Sequence, residues 1–366
     1  MSLLEHEELV VGRGKRSGIH VIVAIHSTAL GPALGGARLW SYQALGDAIA
    51  DALRLSEAMT YKASAAGLDL GGGKAVLCVP PGRELTSDIR RDLMLDLGDV
   101  VDSLGGRYVT AEDVGTGTED MLIIGERTSH VVGKPVDAGG SGDPSPVTAR
   151  GVEAAIRACV AHRYGSGDLT GRVVAVIGLG HVGLALAERL ADAGAGAELV
   201  VSDIDDAKRE DAERLGAAWI GPERAMTAPC DVLAPCALGG AVNPDNIEEL
   251  RCGIVCGSAN NVLAGDSLAD RLAERDILYA PDFIANAGGL INVYGELEEL
   301  GDDRLNELVD GIGEALGKVF ELAAERSVTP LAAARAVALE RLDQASRPSG
   351  TASSASRAAI LPASRA

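Results

Sequence analysis

The chain has 366 residues and a formal net charge of −20; 47% of residues are hydrophobic, with 46 glycines and 10 aromatics. That length suggests two domains, each able to bury its own core. The excess of 53 acidic over 33 basic residues argues against nucleic acid or an anionic membrane surface as partner.

No apolar run reaches the ~18 residues of a membrane span. The acidic start MSLLEHEELV lacks a basic segment ahead of an apolar core, so a soluble, cytoplasmic protein is expected. Taken in chain order, residues 19–25 (IHVIVAI) read as a strand, followed by a Gly/Pro-punctuated segment at 31–40. From about Tyr42 to Ser64 the pattern turns helical, with Leu45, Ala48, Ile49, Ala52, Leu53, Ser56 and Met59 at three- and four-residue steps. A glycine-rich turn then feeds a short strand at 75–79. A helix at 87–104, a strand at 107–111 and a helix at 118–126 complete a first α/β unit, residues 1–138.

Residues 139–148 (GGSGDPSPVT) read as a hinge-like stretch before a helix at about 149–163. The apolar run 172–178 (RVVAVIG) is a strand covered on both faces. Further strands at 198–203, 217–220, 231–234, 252–257 and 277–281, with helices between them, make 139–301 a doubly wound parallel sheet. Two long helical patterns, 302–326 and 330–345, are expected to pack back across the domains, and residues 346–366 read as a disordered tail. The fold class is therefore α/β in two domains separated by a cleft.

Gly178, Gly180 and Gly183 fit G-x-G-x-x-G in a context that gives the motif weight. They close an apolar strand, open a helix at 181–194, and precede a second strand ending at Asp203. Such glycines allow a tight turn and close approach of a pyrophosphate, with the helix N-terminus facing the anion. Asp203 is placed to accept hydrogen bonds from ribose hydroxyls and to repel a 2′-phosphate, which favours NAD over NADP. This is the Rossmann pattern.

Only six of the 33 basic residues are lysines, and two of those, Lys62 and Lys74, sit in apolar or glycine-rich surroundings. One such lysine can pair with a substrate carboxylate. The other, with its pKa lowered by desolvation, can act as a general base. Asp113, in TAEDVG, offers a carboxylate for proton exchange. Read alone, Lys62 can also be a helix end that snorkels to water, and Asp113 a helix cap. Cysteine and histidine are scattered without metal-ligand spacing, so no metal site is expected.

GPALGGARLW (31–40), MTYK (59–62), GLDLGGGKAV (67–76), TAEDVGT (110–116), the glycine motif, APCALGG (234–240), GSANN (257–261) and YAPDFIANAGG (279–289) occur in one order. That series closely resembles the NAD-dependent glutamate, leucine, phenylalanine and valine dehydrogenases, over about residues 20–345. The resemblance implies that Lys62, with Gly35, Gly36 and Asn261, holds the substrate's α-carboxylate. It makes Lys74 the catalytic base and Asp113 its proton-transfer partner. Asn260 and Thr148 would meet the nicotinamide ribose and carboxamide. His181, Val182, Ile204, Cys236 and Ala237 would complete the cofactor set. The implied reaction is reversible oxidative deamination of an L-amino acid to a 2-oxo acid and ammonia, and the implied assembly a homo-oligomer.

Glutamate-specific relatives carry a basic residue where this chain has Leu34, and an unpaired buried γ-carboxylate costs several kcal/mol. Leu34, Ala111, Leu290 and Val293 are expected to line an apolar side-chain pocket. Ala111 and Val293 resemble the leucine and valine enzymes. The connection around Pro80-Pro81-Gly82-Arg83 and the run DFIANAGG look closer to phenylalanine dehydrogenases. The reading favours leucine, valine or isoleucine, with phenylalanine as the alternative. A 2-hydroxyacid dehydrogenase would want a histidine base and an arginine clamp, and the only histidine beside the motif is His181. A non-catalytic NAD sensor would keep the glycines and lose the lysines, and this chain retains both.

Overall fold

A computed structural model describes residues 5–192 and 196–346 of the chain. An antiparallel pair, β1 (Glu8–Arg13) and β2 (His20–Ser27), comes first. It is followed by β3 (Ala33–Ser41), α1 (Leu45–Ala65), β4 (Gly71–Val79), α2 (Ser87–Ser103), β5 (Tyr108–Glu112) and α3 (Thr118–Gly125). The five strands form one mixed sheet, β1-β2-β4-β3-β5, in which β4 runs antiparallel to β2 and parallel to β3.

Next come α4 (Ser145–Tyr164), β6 (Val173–Ile177), α5 (His181–Ala191), β7 (Glu198–Ser202), α6 (Arg209–Leu215) and β8 (Ala218–Trp219). α7 (Pro222–Ala225), β9 (Cys230–Pro235), β10 (Cys252–Val255), α8 (Ser267–Glu274) and β11 (Leu278–Tyr279) complete this sheet's run. Its six strands are all parallel, in the order β11-β10-β9-β6-β7-β8. The order reverses between β6 and β9, and a crevice opens at such a switch point. The chain continues through α9 (Asp282–Ala285), α10 (Gly288–Leu297), α11 (Asp302–Arg326) and α12 (Pro330–Ser346). The α/β class with a parallel second sheet is as the sequence led us to expect; the mixed pairing of the first sheet was not among the expectations.

Alternation along the central strands decides which side chains face the site. In β4, Ala75, Leu77 and Val79 join a core with Leu93, Met94 and Leu97 of α2, while Val76 and Cys78 pack with Ala48 and Ala52 of α1. Side chains two apart share a face, so Gly72 and Lys74 point to the α1 side. By the same parity β3 sends Ala33, Ala37 and Leu39 to the α2 side, and Leu34, Gly36 and Arg38 to the other.

The helix α1 buries small residues at four-residue steps, Ala48, Ala52, Ser56 and Thr60. That stripe lets the helix backbone settle onto the glycines of β4. A Cβ added to Gly72 would lie 2.1 Å from the Thr60 amide nitrogen and 2.5 Å from the Ser56 carbonyl oxygen.

Three local expectations are corrected here. The segment 31–40 contains a central strand, β3, because Gly35 lies so close to β4 that a Cβ would sit 1.8 Å from the Gly73 carbonyl oxygen. Gly71–Gly73 are strand rather than turn, squeezed between α1 on one face and the Tyr108 ring on the other. The hinge-like stretch ends earlier than expected, since α4 already begins at Ser145, with proline in its first turn. The edge strand β1 had no counterpart in the sequence reading. The helix expected over 181–194 ends at Ala191, and residues 193–195 lie outside the described residues, as does the tail from 347 onward.

The two sheets share a core. Leu34, Val109 and Ala111 of the first half cluster with Val152 and Ile156 of α4, Leu290 of α10, Phe320 of α11 and Ala334 of α12. The Ser64 hydroxyl donates to the Ala338 carbonyl at 2.8 Å, which ties α1 to α12. Glu296 of α10 accepts from the Gly133 and Ser141 amides at 2.7 and 2.8 Å, pinning the connection between the halves. Among the described residues no helix is long and apolar enough to cross a membrane.

The closeness of α1 to β4 yields a test. Gly72→Ala is expected to destabilise the protein by about 1–3 kcal/mol through overpacking, read as a lower urea midpoint. An unchanged midpoint would mean the helix tolerates displacement and the contact is slack.

Candidate active site

Leu34, Gly36 and Arg38 of β3, Lys74 in the middle of β4 and the C-terminal end of β5 face α9, α10 and the loop after β10 across a cleft of about 480 Å³. Leu34, Met59, Ala111, Leu290 and Val293 supply apolar wall, and Lys62, Lys74, Asp113, Asn260, Asn261 and Thr148 supply polar groups. Residues more than 250 positions apart in sequence thus meet in one cavity. Gly36 and Val182 also line it. Gly35 instead lies behind it, where its carbonyl accepts the Tyr108 hydroxyl at 2.6 Å.

Lys74 is 4% exposed, on a strand that is buried throughout. Its Nζ lies 3.0 Å from Asp113 Oδ2. Burial pushes the Lys74 pKa down, against the opposing pull of Asp113. For Asp113, burial alone would raise the pKa, but Lys74 and Arg38 outweigh it and hold the carboxyl below the usual range. Lys62 lies in the last turn of α1. Its desolvation lowers its pKa to about 8, the Asp282 charge opposing this and the Lys74 charge adding to it. Two lysines sharing one cleft, Lys74 buried against Asp113 and Lys62 half-buried with Asp282 as its nearest opposing charge, suit an anionic substrate and a proton acceptor.

Four residues that the sequence reading passed over take part. Arg38 Nε donates to Asp113 Oδ2 at 2.9 Å, and its Nη1 to Asp51 Oδ2 at 3.1 Å. The signal was its parity with Leu34 and Gly36, which needed β3 to be recognised as a strand. Asp282 lines the cleft, and burial raises its pKa despite the hydrogen bond it accepts from the Val262 amide at 2.7 Å. Asn286, 3% exposed, donates to Asn260 Oδ1 at 2.9 Å and to the Ser258 and Ala259 carbonyls. It fixes the Ser258–Asn261 loop, in which Asn261 adopts φ 53°. Its own Oδ1 is buried without a hydrogen-bond partner beside the cleft that the residue lines.

The glycine turn occupies the switch point. A Cβ at Gly183 would sit 1.9 Å from the Gly178 carbonyl oxygen and 3.1 Å from Cys236 Cβ. Gly178, at φ 101°, packs against Ala237 with 2.7 Å between its ideal Cβ and the Ala237 methyl carbon. Gly180 is open, with nothing within 4 Å, so the turn keeps free space at the N-terminus of α5. Asp203 accepts the Leu179 amide at 2.6 Å through Oδ2 and the Asp205 amide at 2.9 Å through Oδ1. These bonds fix the carboxylate beside the turn, with lone pairs to spare. His181 and Ile204 are exposed at the same rim. This tight turn with an open face and a fixed acidic rim fits a dinucleotide. The Asp203, Ile204, Cys236 and Ala237 positions lie along the turn rather than in the cleft wall, while Thr148 and Val182 stand in that wall.

Two family models match the chain: the Glu/Leu/Phe/Val dehydrogenase dimerisation domain over residues 6–130, and glutamate/leucine/phenylalanine/valine dehydrogenase over residues 198–350. A leucine dehydrogenase of Thermoactinomyces intermedius is 44% identical over 347 residues, 94% of this chain and 92% of its own length. A valine dehydrogenase of Streptomyces virginiae is 42% identical, covering 93% and 94% respectively. The crystal structure of L-tryptophan dehydrogenase from Nostoc punctiforme superposes with a TM-score of 0.82 at 39% identity, over 94% of this chain and 98% of that one.

The desolvated Lys62 carries a stability signature. Its pKa of about 8 in the folded chain lies below the ordinary 10.5. Between these values the unfolded chain binds more protons, so the cost of the buried charge is fully present below pH 8 and relieved as pH rises towards 10.5. Lys62→Met is expected to be more stable than the parent at pH 7 by about 1–3 kcal/mol, with the gap closing near pH 10.5. Urea midpoints at pH 7 and pH 10 check this; a variant no more stable at pH 7 would mean that water still reaches the ammonium group.

Proposed function

This chain belongs to the glutamate/leucine/phenylalanine/valine dehydrogenase family and is an amino-acid dehydrogenase acting on a CH–NH2 group; we propose that its substrate is a branched-chain L-amino acid and its cofactor NAD. The observation that carries this reading is the cleft wall itself. Among its described residues the basic side chains are Arg38, Lys62 and Lys74. Arg38 is engaged with Asp113 and Asp51 and Lys74 with Asp113, which leaves Lys62 for the α-carboxylate and no cation for a side-chain carboxylate. Leu34, Met59, Ala111, Leu290 and Val293 present an apolar surface, against which an aliphatic side chain gains ~0.8 kcal/mol per buried methylene.

Lys62 would hold the α-carboxylate with help from Asn261 and the side-chain-free Gly36, placing the α-carbon over Lys74 and Asp113. Uncharged Lys74 takes up the proton released from the substrate's ammonium group, directly or through water, and gives it up to solvent. After hydride loss the iminium carbon is attacked by water, whose proton the again uncharged Lys74 receives. That proton is relayed from Lys74 through the Asp113 carboxylate, 3.0 Å away, to the departing nitrogen, and the carbinolamine returns its hydroxyl proton to Lys74 as it collapses to 2-oxo acid and ammonia. NAD, when bound along the Gly178–Gly183 turn with Asp203 at the ribose and Thr148 and Asn260 at the nicotinamide end, supplies the hydride acceptor. The carboxylate of Asp203 disfavours a 2′-phosphate. A homo-oligomer is supported by the dimerisation-domain model over residues 6–130.

The test is NADH formation at 340 nm with L-Leu, L-Val, L-Ile, L-Phe, L-Trp and L-Glu. Branched-chain substrates are expected to lead and glutamate to be inert. A Phe-first or Trp-first ranking would keep the chemistry and overturn the pocket argument. Lys74→Ala is expected to lower kcat by on the order of 10²–10⁴-fold with NADH binding retained; near-parental turnover would remove Lys74 from the mechanism. Asp203→Ala should narrow the preference for NAD over NADP.

A further inference from the structure

Asp113 is gripped from two sides. Both its described contacts fall on Oδ2, with Lys74 Nζ at 3.0 Å and Arg38 Nε at 2.9 Å. The far edge of the Arg38 guanidinium is fixed in turn. Its Nη1 donates to Asp51 Oδ2, and Asp51 also accepts the Tyr42 hydroxyl at 2.7 Å and Arg54 Nη2 at 2.7 Å. A planar fork bonded along two edges keeps little rotational freedom. It lies between the cleft and a second opening, lining both.

We propose that Arg38 is a positioning residue of the reaction: anchored by Asp51, it orients the Asp113 carboxylate so that Oδ2 meets Lys74 while Oδ1 stays available to the substrate. This inference rests on the assignment of Lys74 and Asp113 to the proton transfers. An inert ion pair would hold the fold without affecting the base, and the arrangement of charge here does affect it. The charged and titratable groups facing Lys74 are Arg38 from β3, Asp113 and Glu112 from β5 and its end, Lys62 and Asp51 from α1, and Asp282 from α9. Arg38 opposes protonation of Lys74, and Asp51 favours it. Removing the cation therefore lets Lys74 keep its proton to higher pH. Removing Asp51 acts with the opposite sign.

The experiment is a set of pH profiles of kcat and kcat/KM for the full-length protein and its Lys74→Ala, Arg38→Gln, Arg38→Lys and Asp51→Asn variants, with NAD+ and the best amino acid. Arg38→Gln is expected to lower kcat roughly 100-fold, the scale of a misplaced reacting group, with a much smaller change in KM and an acid limb moved to higher pH. Asp51→Asn should move that limb to lower pH. Arg38→Lys should recover part of the lost kcat, since charge returns without the fork. If the Arg38 and Asp51 variants keep the parental limb, or move it in the same direction, the pair is structural and the proposal fails. If Arg38→Gln does not fold, the direction of the Asp51→Asn limb decides alone. An active Lys74→Ala would overturn the underlying assignment, and this proposal with it. An inactive Lys74→Ala beside unmoved limbs would overturn the positioning role only.

Discussion

The approach of α1 to the glycines of β4 is the constraint from which the site follows. A helix normally stands off a sheet by the length of the side chains between them. Here Gly72 meets the Thr60 amide where a Cβ would overlap it at 2.1 Å, and Ala48, Ala52 and Ser56 continue the contact. This brings Lys62, on the helix, and Lys74, on the strand, into one cavity. Side chains any larger along that seam would part the two ammonium groups and admit water between them. The lowered pKa of each lysine is thus a consequence of packing.

Desolvated charge has to be answered by charge. The molecule does so by setting an opposite charge beside each: Asp282 near Lys62, Asp113 against Lys74, then Arg38, Asp51 and Arg54 leading towards the surface. The cleft wall itself balances three cations, Arg38, Lys62 and Lys74, against three carboxylates, Glu112, Asp113 and Asp282, so even in a chain of net charge −20 the cleft carries no negative excess to repel a carboxylate. The opposite charges beside Asp113 explain why it stays ionised although burial pushes it the other way.

The two sheets are bound to each other through α4, α10, α11 and α12, whose apolar faces merge with Leu34, Val109 and Ala111 of the first sheet. Leu34, Ala111 and Leu290 belong both to this shared core and to the cleft wall. The surface expected to select the substrate is therefore also part of what holds the halves together. Changes made there to alter specificity will carry a stability cost.

The sequence by itself determined the class of fold and most of its elements. The limits of α2, α11 and α12 and the strands of the parallel sheet lie within a few residues of those expected, because long apolar periodicity is a local signal. The glycine turn, Asp203, Lys62, Lys74 and Asp113 were also legible, since residue type and spacing are themselves the evidence for such chemistry. Tertiary structure alone decided what neighbours do to one another. Gly35 and Gly71–Gly73 look like turn residues in sequence, yet they are strand, because what forbids their side chains lies on other segments. Arg38, Asp282 and Asn286 stand inside ordered motifs, and Asp51 on a helix, without a spacing that reveals their parts. Their parts depend on a strand register, a helix face and a loop brought together from distant points of the chain, and those distances exist only once the chain has folded.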